Sequence, residues 1–111
     1  DRLMLRRALS NLLSNALRYT PPGGAVTVTL SRTPTHCRLA VENEGETLAP
    51  EHLARLFERF YRADPSRQHA SGEGTGLGLA ITQAIVRAHQ GSISVTSSQG
   101  RTGFFIELKQ A

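Results

Sequence analysis

The stretch Asn11–Tyr19 reads NLLSNALRY and belongs to a longer segment, residues 2–19, whose apolar residues recur every three or four positions. This spacing predicts an amphipathic helix. Its expected apolar face contains the leucines and the alanine at positions 5, 9, 12, 13, 16 and 17. The segment Thr20–Gly24, which reads TPPGG, should end the helix sharply because proline and glycine break the helical pattern.

The residues after this helix predict a hairpin. Ala25–Ser31 alternates apolar and polar residues, as a half-buried strand does. A turn around Arg32–Thr35 leads to a second expected strand, roughly His36–Asn43. The two strands are close enough in sequence to pair directly.

A long segment of low periodicity, about residues 45–75, separates this hairpin from the rest of the chain. A short helix is expected within it over Pro50–Phe60, because proline suits the first helical turn. Tyr61–Thr75 is polar and rich in glycine and serine. Long irregular segments in small domains are usually binding loops, lids or disordered, and this one is interpreted as a lid.

The C-terminal part predicts a third helix and a second hairpin. Gly76–Gln90 has helical apolar spacing, and Gly91 is the expected stop. Its expected apolar face comprises Leu77, Ile81, Ala84, Ile85 and Ala88. Ser92–Ser97 and Phe104–Leu108 should pair around a turn at residues 99–101.

This order of elements predicts one α+β domain over residues 1–111. The expected architecture is a two-layer sandwich with a mixed, mainly antiparallel sheet covered by helices on one face. The lid lies between the second strand and the third helix. Asp1 stands almost at the first helix, so the N-terminal edge of the domain is expected to be truncated.

Composition narrows the function classes. The net charge is +4, but the basic residues are scattered, and the chain has only four Phe, two Tyr and no Trp. Both features argue against a nucleic-acid partner. Cys37 is the only cysteine, which suits a reducing, cytoplasmic setting. Its neighbour His36 could share a metal with it, but two adjacent strand residues on opposite faces are the commoner case.

Polar side chains occupy the other face of the first helix. Asn11, Asn15 and Arg18 are four and three residues apart, so they share one side. A solvated face is the simpler interpretation, yet Asn costs up to ~0.7 kcal/mol relative to Ala inside a helix. A neutral amide oxygen can ligate phosphate-bound Mg²⁺, and an arginine one turn away can reach a phosphate. The pattern therefore suggests a Mg²⁺ and phosphate site.

A glycine-rich run, Gly72–Gly78, reads GEGTGLG and opens the third helix. Glycines let the backbone approach a phosphate, and the N-terminus of a helix offers N–H groups to an anion. A flexible linker is the alternative, but it does not explain why the run leads directly into an apolar helix. The run lacks the Gly-Lys-Ser/Thr of a P-loop and does not fit the dinucleotide fingerprint.

Aromatic and basic residues alternate where the lid begins. Phe57, Phe60 and Tyr61 flank Arg59 and Arg62. Aromatic residues at this spacing more often anchor a lid to the core than contact a ligand. Arg59 or Arg62 could reach a γ-phosphate from a mobile lid.

Four of these segments together resemble the ATP-binding catalytic domains of sensor histidine kinases, within the ATPase group that contains gyrase and the MutL repair proteins. Asn11–Tyr19 resembles the N box and Val41–Gly45 the G1 box. Phe57–Phe60 resembles the F box and Gly72–Gly78 the G2 box. The resemblance covers nearly the whole chain and implies a Bergerat-type ATP-binding fold.

The resemblance also implies roles for matching residues. Asn15 would hold Mg²⁺ with Asn11 nearby, and Arg18 would contact phosphate. Tyr19 would pack against the adenine, and Asn43 would meet its amino group. The implied ATP site also includes Gly45, Arg59, Gly72, Gly74, Thr75, Gly76, Leu77 and Gly78, with catalytic roles for Asn15, Arg18 and Arg59.

The implied activity is transfer of the γ-phosphoryl group of ATP to a histidine on a separate helical dimerisation domain. A response regulator's aspartate would then receive it. By the same resemblance, the whole protein would be a dimeric inner-membrane sensor with this domain in the cytoplasm. The chain itself would be monomeric and lack the acceptor histidine.

Three positions bear on how far the resemblance extends. The family usually has Asp at position 43 and a second Gly at position 47, where this chain has Asn43 and Thr47. Sensor kinases that respond to copper and related metals resemble this variant. A nucleotide-sensing module without catalysis is an alternative. Gyrase-type hydrolases place a Glu general base where Asn11 stands, and an amide cannot accept a proton from water, which favours transfer over hydrolysis.

Overall fold

The helices and strands follow one another in the order that the sequence predicts. The computed structural model describes residues 2–58 and 78–109, without the side chain of Arg2. The described elements are α1 (Arg2–Tyr19), β1 (Val26–Arg32), β2 (His36–Glu44), α2 (Pro50–Leu53), α3 (Gly78–Ala88), β3 (Ser92–Ser98) and β4 (Arg101–Lys109).

The strands form a single four-stranded sheet in the order β1-β2-β4-β3. Every pairing among these strands is antiparallel. Both predicted hairpins are confirmed, and β2 and β4, the longest strands, pair along the centre of the sheet. The mainly antiparallel α+β architecture is therefore confirmed for the described residues.

The core lies between the inner face of the sheet and the helices. Strand alternation places Val41 of β2 opposite Phe104 of β4, and both are buried. Leu12 and Ala16 of α1 and Val86 of α3 pack against them, together with Leu56 and Ile106. Both long helices therefore cover the same face of the sheet.

The apolar face of α1 is narrower than predicted. Leu12 and Ala16 are buried, but Leu17 is 67% exposed. Leu17 also belongs to the helical spacing, so periodicity alone placed it in the core. The prediction for Leu17 is wrong because the sheet and α3 cover only one side of the helix.

The short helix α2 ends earlier than predicted. It spans Pro50–Leu53, with proline in its first turn as expected, and turns follow through residue 57. Arg55 N donates to His52 O at 3.0 Å and Glu58 N to Arg55 O at 2.9 Å, so three-residue turns replace the α-helical pattern. This tightening lets Leu56 bury its side chain in the core.

The buried side of helix α3 only partly matches the predicted one. Ile85 is buried as predicted, and Thr82 and Val86 are buried as well, whereas Ala84 and Ala88 are exposed. The helix is apolar on more than one side, so its sequence does not determine which side packs. Thr82 is accommodated because its hydroxyl donates to Gly78 O at 2.9 Å.

The end of α3 is also corrected by two residues, from Gln90 to Ala88. Gln90, rather than Gly91, adopts the left-handed conformation, with φ 60°. Gly91 N donates to Val86 O at 2.9 Å, which closes the helix end. A glycine is required at position 91 because a side chain would clash with β4, and not because of its φ angle. A Cβ there would lie 2.5 Å from Glu107 O.

Within the described ranges, none of the helices combines the length and apolar character needed to cross a membrane.

Candidate functional site

The polar face of α1 lies against the start of α3. Asn11, Asn15 and Arg18 are all half-buried, so this face is not the solvated surface of the simpler interpretation. Asn11 Nδ2 donates to Gly78 O at 3.4 Å. This contact joins residues that are 67 positions apart and brings the predicted N box next to the last glycine of the predicted G2 box.

Asn15, Arg18 and Tyr19 form a connected group one turn further along α1. Arg18 Nη2 donates to Asn15 Oδ1 at 3.3 Å. The Arg18 guanidinium also lies 5.0 Å from the centre of the Tyr19 ring, within the range of a cation–π interaction. The group therefore places a fixed cation and a neutral oxygen side by side.

Asn43 is a buried polar residue at the end of β2, with only 4% of its surface exposed. It lies opposite Thr102 of β4, which is also buried. Asn43 Nδ2 donates to Glu44 O at 3.2 Å. That bond orients the amide so that Oδ1, an acceptor, points away from the Glu44 carbonyl.

Gly45 connects Asn43 to the end of α1. A Cβ at Gly45 would lie 2.8 Å from Tyr19 O and 3.3 Å from Asn43 Nδ2. A side chain could not fit without displacing the Tyr19 backbone. The close approach explains why a glycine follows Asn43 and Glu44.

Helix α1 is thus the common support of the described site residues. Its Asn11 end contacts Gly78, and its Tyr19 end adjoins Gly45 and Asn43. At a rise of about 1.5 Å per residue, the two ends lie roughly 12 Å apart. Residues Arg59, Gly72, Gly74, Thr75, Gly76 and Leu77, which the sequence also assigns to the site, lie outside the described residues.

The described part of the predicted F box has a core role. The rings of Phe57 and Phe104 meet edge to face, with centroids 6.2 Å apart. Phe57 thus contacts the core, as expected for an aromatic residue that anchors the lid. Arg59 and its aromatic neighbours at positions 60 and 61 lie outside the described ranges.

A pair of hydroxyl residues near Asn43 was not predicted. Ser97 Oγ and Thr102 Oγ1 lie 2.8 Å apart, and Leu48 N donates to Ser97 Oγ at 2.8 Å. The sequence contains a signal for them: both continue the inward alternation of apolar residues on their strands. A polar residue where alternation calls for an apolar one indicates a buried contact.

The sequence matches a known family over its whole length. The model described as "Histidine kinase-, DNA gyrase B-, and HSP90-like ATPase" matches residues 1–111. The chain belongs to this ATPase family. It is therefore an ATP-binding domain.

Individual proteins of this family are similar to the chain. It is 59% identical over 110 residues to "Sensor histidine kinase CusS" of Escherichia coli O157:H7, which covers 99% of this chain and 23% of that protein. It is 52% identical over 108 residues to "Probable sensor kinase SilS" of Salmonella typhimurium, covering 97% and 22% respectively. The chain therefore spans less than a quarter of the length of these relatives.

Solved structures confirm the fold. The "Mycobacterial sensor histidine kinase MprB" superimposes with a TM-score of 0.85 at 35% identity, over 98% of this chain and 74% of that one. "ShkA full-length in complex with AMPPNP" gives a TM-score of 0.79 at 33% identity, over 95% of this chain and 21% of that one. The chain has the fold of histidine kinase catalytic domains.

Proposed function

We propose that the chain binds Mg-ATP and transfers its γ-phosphoryl group to a histidine on a separate helical dimerisation domain. The observation that carries the proposal is the joining of Asn11 to Gly78, which brings the amide-bearing face of α1 to the start of α3. Similarity to sensor histidine kinases over nearly the whole chain supports the reaction type.

Asn43 and Tyr19 would form the base end of this site. Tyr19 offers an aromatic ring, and Gly45 lets the backbone pass close to both residues. The Asn43 amide presents Oδ1 as an acceptor, because its nitrogen donates to Glu44 O. Adenine has a donor at its 6-amino group, whereas guanine has an acceptor there, so this orientation favours ATP.

Asn15 and Arg18 would form the phosphate end. The residues fit a hard cation such as phosphate-bound Mg²⁺, since Asn15 is a half-buried residue with a neutral amide oxygen and Asn11 lies one turn away. When bound, Mg²⁺ would neutralise charge that develops on the phosphates. Arg18 already donates to Asn15 Oδ1, so the guanidinium is held where it can turn to an incoming phosphate oxygen.

The remaining predicted contacts belong to the proposal as well. The glycine-rich run at 72–78 would bind the phosphates through its backbone N–H groups. Arg59 would place a positive charge from the lid near the γ-phosphate during transfer. The whole protein would be a membrane-anchored dimeric sensor of the copper-responsive kind, with a response regulator as the next acceptor. The chain would be its cytoplasmic catalytic domain.

Hydrolysis is disfavoured by what Asn11 does in the structure. Its side chain is an amide that donates to Gly78 O, and an amide cannot act as the general base for water. An active hydrolase would need another base near the phosphates. The chemistry of Asn11 therefore supports transfer to a protein histidine.

A reconstituted transfer assay tests the reaction. The chain is incubated with γ-labelled ATP, with and without a separately purified dimerisation domain from a close relative such as CusS. We expect label on that domain's acceptor histidine and no stable label on the chain itself. Of the described histidines, His36 lies on a strand, His52 in the short α2 and His89 just beyond α3.

The alternatives give different results in the same assay. ATP binding without transfer to any acceptor domain would indicate a nucleotide-sensing module. Release of labelled phosphate in place of histidine labelling would indicate a hydrolase. Stable label on the chain alone would contradict the expectation that the acceptor lies elsewhere.

Replacing Asn43 tests the base end. Asn43→Leu keeps the side-chain size but removes the acceptor, so the adenine amino group loses its partner. A neutral hydrogen bond contributes about 0.5–1.5 kcal/mol, so we expect ATP to bind roughly 2- to 10-fold more weakly. Calorimetric titration with ATP and GTP measures the change, and GTP serves as the matched control because its affinity should not fall. Unchanged ATP affinity would remove Asn43 from the site.

A further inference from the structure

The loop after Asn43 is hydrogen-bonded to the turn between β3 and β4. The β2–β4 ladder ends where Glu44 faces Arg101. Beyond it, Gly45 N donates to Gly100 O at 2.9 Å, which extends the contact by one more bond. The loop therefore does not leave the sheet at the last strand residue.

Thr47 completes this attachment with its side chain. Gly100 N donates to Thr47 Oγ1 at 2.6 Å, a contact between residues 53 positions apart. Gly100 thus uses both of its backbone polar groups on the same loop, its carbonyl on Gly45 and its N–H on Thr47. The Thr47 hydroxyl thus accepts the hydrogen bond that a backbone carbonyl would accept if the β2–β4 ladder continued.

The turn is shaped to present these groups. Gln99 and Gly100 have φ angles of 51° and 74°, the left-handed values that a tight two-residue hairpin turn requires. A turn of this kind is short and has little freedom to move relative to its strands. It is therefore a firm support for a loop.

A second contact holds the loop one residue later. Leu48 N donates to Ser97 Oγ at 2.8 Å, and Ser97 in turn pairs with the buried Thr102. Thr102 faces Asn43 across β2 and β4. Both attachments therefore lie within three residues after Gly45, the residue that packs against Tyr19 and the Asn43 amide.

We propose that Thr47 is a positioning residue for the nucleotide base: its hydroxyl, acting through Gly100, holds Gly45 and the Asn43 amide in binding geometry. The proposal rests on the proposed ATP site. Thr47 is exposed and need not touch the nucleotide. Its loss would let Gly45 move from Tyr19 and would loosen base binding without changing the phosphate end.

Three variants of the chain test this role in the transfer assay and in direct ATP titration. Thr47→Val removes the hydroxyl at nearly constant size, and Thr47→Ser keeps it. Thr96→Val is a matched control, because Thr96 is an exposed threonine of β3. We expect Thr47→Val to raise the Kd and KM for ATP by about 3- to 10-fold, the usual worth of one hydrogen bond. Thr47→Ser and Thr96→Val should both stay within about twofold of the unsubstituted chain.

Measuring KM and kcat separately distinguishes a positioning role of Thr47 from a general loss of active protein. A positioning role predicts a raised KM with an unchanged kcat at saturating ATP. Amide exchange of Gly100, followed by NMR, should accelerate in Thr47→Val and not in Thr47→Ser. A Thr47→Val variant with faster Gly100 exchange but unaltered ATP affinity, or with reduced kcat and unaltered KM, would overturn the proposal.

Failure of the proposed function would look different. If the unsubstituted chain bound no ATP, the ATP site itself would be refuted, and the positioning role with it. If the chain bound ATP and all three variants bound it equally, the ATP site would stand and only the role of Thr47 would be overturned.

Discussion

Asn15→Ala should abolish phosphotransfer while leaving the domain folded. In the proposed site this change removes the amide oxygen that would ligate Mg²⁺ and the acceptor for Arg18. Loss of several kcal/mol of charge stabilisation lowers the transfer rate by about two orders of magnitude or more. The assay is labelling of the acceptor histidine with γ-labelled ATP over a range of Mg²⁺ concentrations.

Stability and a second variant provide the controls for this result. Asn15 is only half-buried, and alanine favours the helix, so unfolding should change by no more than about 1 kcal/mol. Ser10→Ala alters an exposed residue of the same helix and should transfer at the normal rate. Transfer at the normal rate in Asn15→Ala would show that another group holds the metal.

Leu12→Ala should be the most destabilising of the simple core truncations in α1. Leu12 is fully buried between the sheet and α3. Truncating a buried leucine to alanine costs about 2–5 kcal/mol through lost transfer energy and the cavity left behind. Urea unfolding followed by circular dichroism gives the difference in free energy.

Leu17→Ala is the matched control, because it makes the same chemical change in the same helix at a residue that is 67% exposed. We expect its effect to stay within about 0.5 kcal/mol. Similar losses of unfolding free energy in the two variants would contradict the placement of the core between α1, α3 and the sheet.

Much of the fold follows from local patterns in the sequence. Helix α1, the two hairpins and the proline that starts α2 each depend on residues close together in the chain, and all are confirmed. The errors concern which side of an element packs and where α2 and α3 end. Ala84 and Thr82 lie on different sides of an apolar helix, and only the position of the sheet decides that Thr82 is buried.

In the candidate site, too, local geometry could be predicted from the sequence but long-range contacts could not. Asn11, Asn15 and Arg18 share a face because helical geometry requires it, and that part could be predicted. The contacts of Asn11 with Gly78 and of Thr47 with Gly100 join residues 67 and 53 positions apart. Such contacts depend on how the elements pack, so a sequence pattern can suggest the partners but not the bonds.

The distance along α1 between Asn11 and Tyr19 determines which substitutions should affect nucleotide binding independently of one another. Residues separated by about 12 Å with no shared partner usually contribute independently to binding energy. Substitutions around Asn43 and Thr47 can therefore tune affinity for the base while the contact of Asn11 with Gly78 stays as it is. Combined variants of Asn11 and Asn43 should show additive free energies, whereas Asn15 is linked to Asn43 through Arg18, Tyr19 and Gly45, so variants of that pair should not.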